Sequence, residues 1–540
     1  MGHEKNEIEH IDQHDVNVAS EEYDPYASQQ LHRQLKNRHI AMISLGGVIG
    51  TGLFLGTAKA LANGGPGGLL LGYIVMGTIV YAVMNCLGEM VAYLPIPGGH
   101  IKLAERFVSP AFSFAMGWNY WYNWTVVLPA ELSASAVLVN YWIKPEQVNN
   151  AAWMTIFLVI VVAINFMGAR AYGEAEFWFA SIKILTIIGL IILGIIIDAG
   201  GAPPNHEVIG FKYWNDPGAF AQYNGIPGNL GKFLGFFSVL ITAAFSFIGT
   251  EIVAIAAGET SNPRRNIPKA IKKVYIRIIL FYVLGTFIIG LLVPFNDEKL
   301  LAGGHDASTS PFVIAINNAN IQVLPHIINA CLLSSAWSAA SSDLYTSSRA
   351  LYGLAVAGNA PKIFARVSKK NGLPYISLIF CSLFSFLAFM GVSEGSNKVF
   401  GWFANMTSMC GLITWCCIGI TYLRFYAGMK AQGIDRNTLP FKSPLQPFFG
   451  YYSVISVTIV CLFSGWYVFL AGNWDTATFV TTYFPIPFFF VLFFVYYFTQ
   501  PSAFVKASEM DFHSGIAEIE QAALDEEKPT TLMGKFFDSL

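Results

Sequence analysis

Ser44-Leu-Gly-Gly-Val-Ile-Gly-Thr-Gly-Leu-Phe-Leu-Gly56 is the stretch whose reading decides the fold. It lies inside an apolar run from about Ile40 to Ala62, long enough to cross a bilayer at about 1.5 Å per helical residue. Yet glycine stands at 46, 47, 50, 52 and 56, and each interior glycine costs a helix about 1 kcal/mol relative to alanine. Two readings fit. The glycines form a small-residue face for helix packing, or they mark a span built to break. A break in mid-bilayer bares backbone N–H and C=O groups, which is tolerable only where protein or a polar cavity covers them. The N–H groups that open the second half-helix then suit a carboxylate. Repetition favours the break: Ile49-Gly50-Thr51-Gly52 returns as Ile248-Gly249-Thr250-Glu251, again midway along an apolar span. Interrupted segments at matching positions in two halves point to a transporter's site.

Composition sets the class. Of 540 residues, 54% are hydrophobic and 12% charged, against about 25% charged in soluble domains. The chain is therefore read as an all-α, polytopic membrane protein. A net charge of -2 gives no reason to expect a nucleic-acid partner. Cys86, Cys331, Cys381, Cys410, Cys416, Cys417 and Cys461 all fall in expected spans, so neither a disulfide framework nor a metal site is expected. The N-terminal stretch is polar and acidic, unlike a cleavable signal peptide. Met1-Gly2 is followed by Asn6 where a myristoylation site wants Ser or Thr.

The hydropathy pattern predicts twelve spans, near 40–62, 66–94, 111–138, 151–169, 175–199, 232–258, 275–295, 323–355, 374–393, 399–421, 450–471 and 479–499. Polar tails flank them at 1–39 and 500–540. Basic residues gather in alternate loops: Lys102 and Arg106; Arg264, Arg265, Lys269, Lys272, Lys273 and Arg277; Lys362, Arg366, Lys369 and Lys370; Arg424, Lys430 and Arg436. Positive residues favour the cytoplasmic side, so both termini are expected there. The break in span one returns five spans later, an odd number, which predicts inverted halves. The expected core is a 5+5 inverted repeat over 40–421, with repeats near 40–199 and 232–421, plus two extra helices over 450–499.

Ionisable residues within spans are costly and mark candidate sites. Glu89 either accepts backbone groups of a broken helix or sits at the cytoplasmic interface beside Lys102. Glu131, in Leu128-Pro-Ala-Glu-Leu-Ser, is placed in the cavity lining. Lys183 is either a snorkelling lysine or an ammonium able to cycle protons. Glu251, directly after the second break, is a structural cap or a proton carrier. Phe245 and Phe247 precede that break, in core packing or as a gate over substrate. Glu259 reads as a helix end paired with the basic loop. In Ser334-Ser-Ala-Trp-Ser-Ala-Ala-Ser-Ser-Asp-Leu-Tyr-Thr-Ser-Ser-Arg349, small hydroxyls allow close packing and line polar cavities, and Asp343 either pairs with Arg349 or faces the vestibule. No phosphate-binding glycine loop and no histidine cluster is present, so no cofactor, metal or enzymatic role is expected. Asn123-Trp-Thr and Asn405-Met-Thr have the glycosylation spacing but lie within spans.

Longer motifs add a resemblance. Leu35-Lys-Asn-Arg-His runs into Gly46-Gly-Val-Ile-Gly-Thr-Gly-Leu; Gly88-Glu-Met precedes Pro97-Gly-Gly; then come Gly117-Trp-Asn-Tyr-Trp, Tyr172-Gly-Glu-Ala-Glu-Phe-Trp-Phe-Ala-Ser-Ile-Lys, Phe245-Ser-Phe-Ile-Gly-Thr-Glu, Glu259-Thr-Ser-Asn-Pro-Arg, Ser347-Ser-Arg-Ala-Leu and Ile413-Thr-Trp-Cys ahead of Leu423-Arg-Phe. Over about 40–500 the chain resembles a fungal amino-acid permease of the yeast amino-acid transporter family, within the amino acid–polyamine–organocation superfamily. The Ser341–Ser348 run resembles the dicarboxylic amino-acid subgroup more than general permeases.

That resemblance implies a LeuT-like fold and plasma-membrane uptake of amino acids driven by protons. It implies that Ile49, Gly50, Thr51 and Gly52 bind the α-carboxylate, and that backbone across Phe245, Ser246, Phe247, Ile248 and Gly249 binds the α-ammonium. Glu251 matches the acid that follows the family's break, and Lys183 the lysine near the place of a coupling sodium. With Glu89, these are the candidates for proton coupling. A sensor or transporter-receptor on the same scaffold is the alternative; the short N-terminal tail favours a carrier. Lys5 is an ordinary exposed lysine or an acceptor for ubiquitin-dependent endocytosis, and residues 516–525 are expected to form a short amphipathic helix.

Overall fold

The structure, a computed structural model, describes Met42 and residues 49–96, 98–201, 206–252, 269, 271, 274–301, 310–369, 372–514 and 516. The tail 1–39, Gly46, Gly47, Glu259, Arg264, Arg265, Lys272, Lys273 and residues 517–525 lie outside the described residues.

All regular structure among the described residues is helical. The first long helix, α1 (Thr57–Tyr93), is divided at Gly65, whose φ of 70° and ψ of 175° end one leg, and Pro66 opens the next. Then follow α2 (Gly99–Phe107), α3 (Pro110–Val139), α4 (Asn150–Phe166), α5 (Ala169–Asp198), α6 (Gly228–Phe247) and α7 (Leu284–Leu292). The second half continues with α8 (Leu324–Val356), α9 (Tyr375–Phe384), α10 (Ser396–Ala431), α11 (Phe448–Phe463), α12 (Thr476–Tyr483) and α13 (Pro485–Thr499). Local chemistry sets several starts. Ser109 caps α3 by accepting the Phe112 amide at 3.2 Å, with Pro110 in the first turn, and Asn149 caps α4 by accepting the Ala151 amide at 2.9 Å.

By length and composition, seven helices among the described residues can cross a membrane, or eight if the pair α12–α13, bent by 45°, counts as one span. Twelve were expected, and the difference has physical causes. The first candidate, Gly52–Tyr93, is 42 residues long and contains the break at Gly65. The helix α4 is apolar but only 17 residues long. The helices α3 and α8, at 30 and 33 residues, are long but too rich in hydroxyl, amide and aromatic side chains to qualify as apolar. They are also largely covered by protein. Almost every residue of α3 is buried, and it packs against α8, α10 and α13. A helix that does not face lipid has no need to be uniformly apolar.

The turn within α1 is clasped from outside. The Gly67 amide donates to the Ala219 carbonyl at 2.7 Å, and the Ala221 amide donates to the Gly64 carbonyl at 3.2 Å. A Cβ on Gly65 would lie 2.7 Å from the Ala221 nitrogen and 2.8 Å from the Ala219 oxygen.

Within the polar tail expected from residue 500, residues 501–514 are folded against the core. Met510 and Phe512 are buried, and the Phe512 ring sits 5.2 Å from Phe107 and 5.5 Å from Phe425. The Val505 amide donates to the Val108 carbonyl at 2.9 Å, Gln432 donates to the Met510 carbonyl at 2.8 Å, and Arg106 approaches Asp511 at 3.8 Å. Polar composition hid an apolar pair spaced two residues apart, which enters a gap beside Gly428.

Gly65→Ala is expected to lower stability by about 1–3 kcal/mol, because a side chain there meets both an unfavourable φ and a backbone clash. The check is the melting temperature of the detergent-solubilised chain, and an unchanged value would show that the clasp does not constrain this turn.

Candidate functional site

The two glycine stretches meet. Ile49 and Gly50 have no regular structure, Gly52–Gly56 form a π-helical turn, and regular α-helix begins at Thr57. On the other side, α6 ends at Phe247, Ile248 turns out at φ −58° and ψ 144°, and Gly249 takes φ +91°. That left-handed backbone favours glycine. A Cβ on Gly52 would lie 2.9 Å from the Phe245 ring and 3.0 Å from the Ser246 Cα, so the close approach of the two segments depends on its absence. The residues proposed to bind substrate, Ile49 to Gly52 and Phe245 to Gly249, are therefore neighbours. Phe247 packs inward on Tyr282 at 4.4 Å between ring centres, whereas Phe245 meets Phe400 edge-on at 5.8 Å.

Two further helices close around this meeting point. Glu131 of α3 accepts a hydrogen bond from the Thr51 hydroxyl at 3.0 Å, and its Oε1 is the atom a Cβ on Gly50 would strike, at 2.9 Å. Its other oxygen, Oε2, is buried and has no hydrogen-bond partner. From α8, Ser335 donates to the Ile49 carbonyl at 3.2 Å. The hydroxyls of Tyr73 and Ser246 hydrogen-bond each other at 2.8 Å, joining α1 to α6.

Glu251 is buried beyond the second break, where the Trp415 indole donates to its Oε2 at 3.2 Å. Beside it stands Arg277, expected from the sequence to lie in a basic loop. The Arg277 guanidinium is buried, not in a loop, and donates to the Thr250 hydroxyl at 2.8 Å; that hydroxyl in turn donates to the Phe247 carbonyl at 2.5 Å. Arg277 lies one residue before Ile278–Val283, a π-helical segment. Its helical position, adjoining an apolar run, was the available signal.

Lys183 is wholly buried rather than snorkelling, and its ammonium lies 3.5 Å from Glu176. Asp343, on α8, is also buried, with Oδ2 lacking a hydrogen-bond partner. It does not pair with Arg349, whose guanidinium lies over the Tyr345 ring at 3.3 Å.

Glu89 has different partners from either of those expected. It forms a two-point ion pair with Arg436, with Nε to Oε1 at 2.5 Å and Nη2 to Oε2 at 2.8 Å, and accepts the Ser443 amide at 3.3 Å. Lys102 pairs instead with Glu105 at 2.8 Å. Glu89 thus anchors the segment after α10 to the end of α1. All seven cysteines are free, and among the described residues no group of His, Cys, Asp or Glu is arranged to hold a metal ion.

Comparison with known proteins agrees with this picture of a membrane core with a polar centre. A family model described as amino acid permease matches residues 39–506. The chain is 43% identical over 489 residues to the dicarboxylic amino acid permease of Saccharomyces cerevisiae, covering 90% of this chain and 80% of that one. It is 45% identical over 498 residues to the proline-specific permease of Emericella nidulans, covering 91% and 89%. It is 41% identical over 530 residues to the lysine-specific permease of Saccharomyces cerevisiae, covering 97% and 85%. These relatives are transporters rather than enzymes, and the chain belongs to the amino acid permease family.

Proposed function

We propose that the chain imports amino acids across the plasma membrane together with protons, by alternating access. In this reading twelve helices cross the bilayer, both termini are cytoplasmic, and the core is a LeuT-like 5+5 inverted repeat followed by two helices. The count is supported by treating α1 as two crossings and by admitting α3, α4, α8 and the bent pair α12–α13 to the seven apolar helices. The observation that carries the proposal is the contact of two irregular points, at Ile49–Gly52 and Ile248–Gly249, with the buried acid Glu131 on the first and Glu251 just past the second. Unwound helix ends at mid-depth suit the two charges of an amino-acid zwitterion.

Ile49, Gly50, Thr51 and Gly52 take the α-carboxylate, and main chain from Phe245 to Gly249 takes the α-ammonium. Glu131 holds the first segment through Thr51 and lines the site. Glu251 and Lys183 are assigned to proton coupling. Glu89 is assigned to anchoring, since Arg436 already answers its charge. The relatives named for dicarboxylic, proline and lysine transport are 43%, 45% and 41% identical. Such even similarity does not select a side chain, and a competition panel of glutamate, proline, arginine and leucine does so directly.

Uptake of labelled amino acid into permease-deleted yeast cells or liposomes is expected to rise with an inward proton gradient and fall when a protonophore collapses it. Uptake indifferent to the protonophore would remove proton coupling. Binding without uptake would instead favour a sensor. Glu251→Gln is expected to lower uptake at least tenfold at unchanged surface level, and wild-type transport by that variant would end its assignment. Thr51→Val removes the donor to a buried carboxylate and is expected to cost about 1–3 kcal/mol of stability. Thr51→Ser should retain most of it in the same melting assay.

A further inference from the structure

Lys183 brings a positive charge into a dry interior, and Glu176 is built to receive it. The two residues lie seven apart on α5, near two helical turns, and so share one face. Their side chains are 0% and 1% exposed, and the ammonium lies 3.5 Å from Glu176 Oε1. The carboxylate is not placed by the lysine alone. Its Oε2 accepts hydrogen bonds from Ser338 at 2.5 Å and from Ser342 at 3.3 Å, both on α8. Ser342 also accepts the Tyr172 hydroxyl at 3.0 Å, and Tyr172 stacks on Tyr345 at 4.1 Å. One oxygen is fixed by a neighbouring helix, and the other faces the ammonium without any hydrogen-bond partner.

We propose that Glu176 is the positioning residue for Lys183, fixed by Ser338 and Ser342 so that its second oxygen holds the buried ammonium in place. This rests on the reading of Lys183 as a coupling group, and it makes the coupling element a carboxylate–ammonium pair on α5, braced by two serines of α8. Other charged groups acting on Lys183 among the described residues include Glu131 from α3 and Asp343 from α8. The helices α4 and α7, which also pack on α5, bring no titratable side chain to it.

Glu176→Gln separates charge from shape, because the amide oxygen still accepts from Ser338 and Ser342. Uptake by Glu176→Gln is therefore expected to fall at least tenfold at unchanged surface level. Glu176→Asp keeps the charge and is expected to restore uptake at least in part. A purely structural Glu176 would let Glu176→Gln, which keeps the hydrogen bonds to both serines, transport no worse than Glu176→Asp. The second measurement is a melting-temperature cycle on the full chain in detergent, with Glu176→Gln, Lys183→Met and the double variant, readable even if a variant does not transport. The double variant is expected to lose less than the two single losses together. Wild-type uptake by Glu176→Gln, uptake by Glu176→Asp no better than by Glu176→Gln, or additive losses in the cycle, overturns the pairing. Should wild-type uptake show no pH dependence, proton coupling fails as a reading, and the cycle alone decides whether Glu176 holds Lys183.

Discussion

Backbone groups released from a helix inside hydrocarbon have no water to turn to, and most of the core is arranged around that constraint. Hydroxyl groups meet it. Ser335 donates to the Ile49 carbonyl at 3.2 Å, Ser310 to the Phe54 carbonyl at 3.0 Å, and Thr250 to the Phe247 carbonyl at 2.5 Å. Two of these donors come from elements distant in sequence, so the first break is stable only once the surrounding segments have assembled. The glycines that permit the break also permit the assembly. Gly52 lies against Ser246, and Cβ atoms on Gly64 and Gly72 would strike Val239 of α6 at 2.7 and 2.5 Å. At Gly52 one residue serves both ends: it opens the π-helical turn and lets α6 come close.

The same constraint explains why the site is built on α3 and α8. A helix facing lipid must be apolar on its exposed side, whereas one enclosed by other helices can carry hydroxyl, amide and acidic groups if partners meet them. Asn119 of α3 donates to the Cys410 carbonyl at 2.9 Å, and Asn329 of α8 donates to the Leu138 carbonyl at 2.9 Å. In contrast, α5 keeps an outer face of exposed apolar residues such as Trp178, Leu185 and Ile192, and confines Glu176 and Lys183 to its inner one.

The legible features were those whose signal is local. Glycine clusters, acids within apolar runs and family motifs can each be read within ten or twenty residues, and they led to the permease family and to the residues around both breaks. What escaped depends on distant pairing. Glu176 was visible only as one letter of a motif, since its meaning comes from serines on another helix. Arg277 counted as a loop charge because a basic run precedes it, although its side chain turns inward to Thr250. Glu89 finds Arg436, 347 positions along the chain. The fold of residues 501–514 against α2 and α10 was masked by polar composition, because two buried side chains, Met510 and Phe512, carry it.

Charge balance links the core to the proposed coupling. Among the described buried residues, Glu131, Glu176, Glu251 and Asp343 are acidic, against the cations Lys183 and Arg277; Glu89 is answered separately by Arg436. Isolated charge in a low-dielectric interior is expensive, so such an excess of acids has to be met by protons or by a bound cation. A zwitterion brings no net charge and cannot remove the excess. A cationic side chain would reduce it, and an acidic one would enlarge it. In the proposed mechanism, the number of protons carried and the charge of the substrate's side chain are tied to one quantity, the surplus of buried carboxyl groups. A change of specificity that alters side-chain charge would then require a compensating change among these acids or their cations, even where the backbone proposed to grip the α-carboxylate and α-ammonium stays the same.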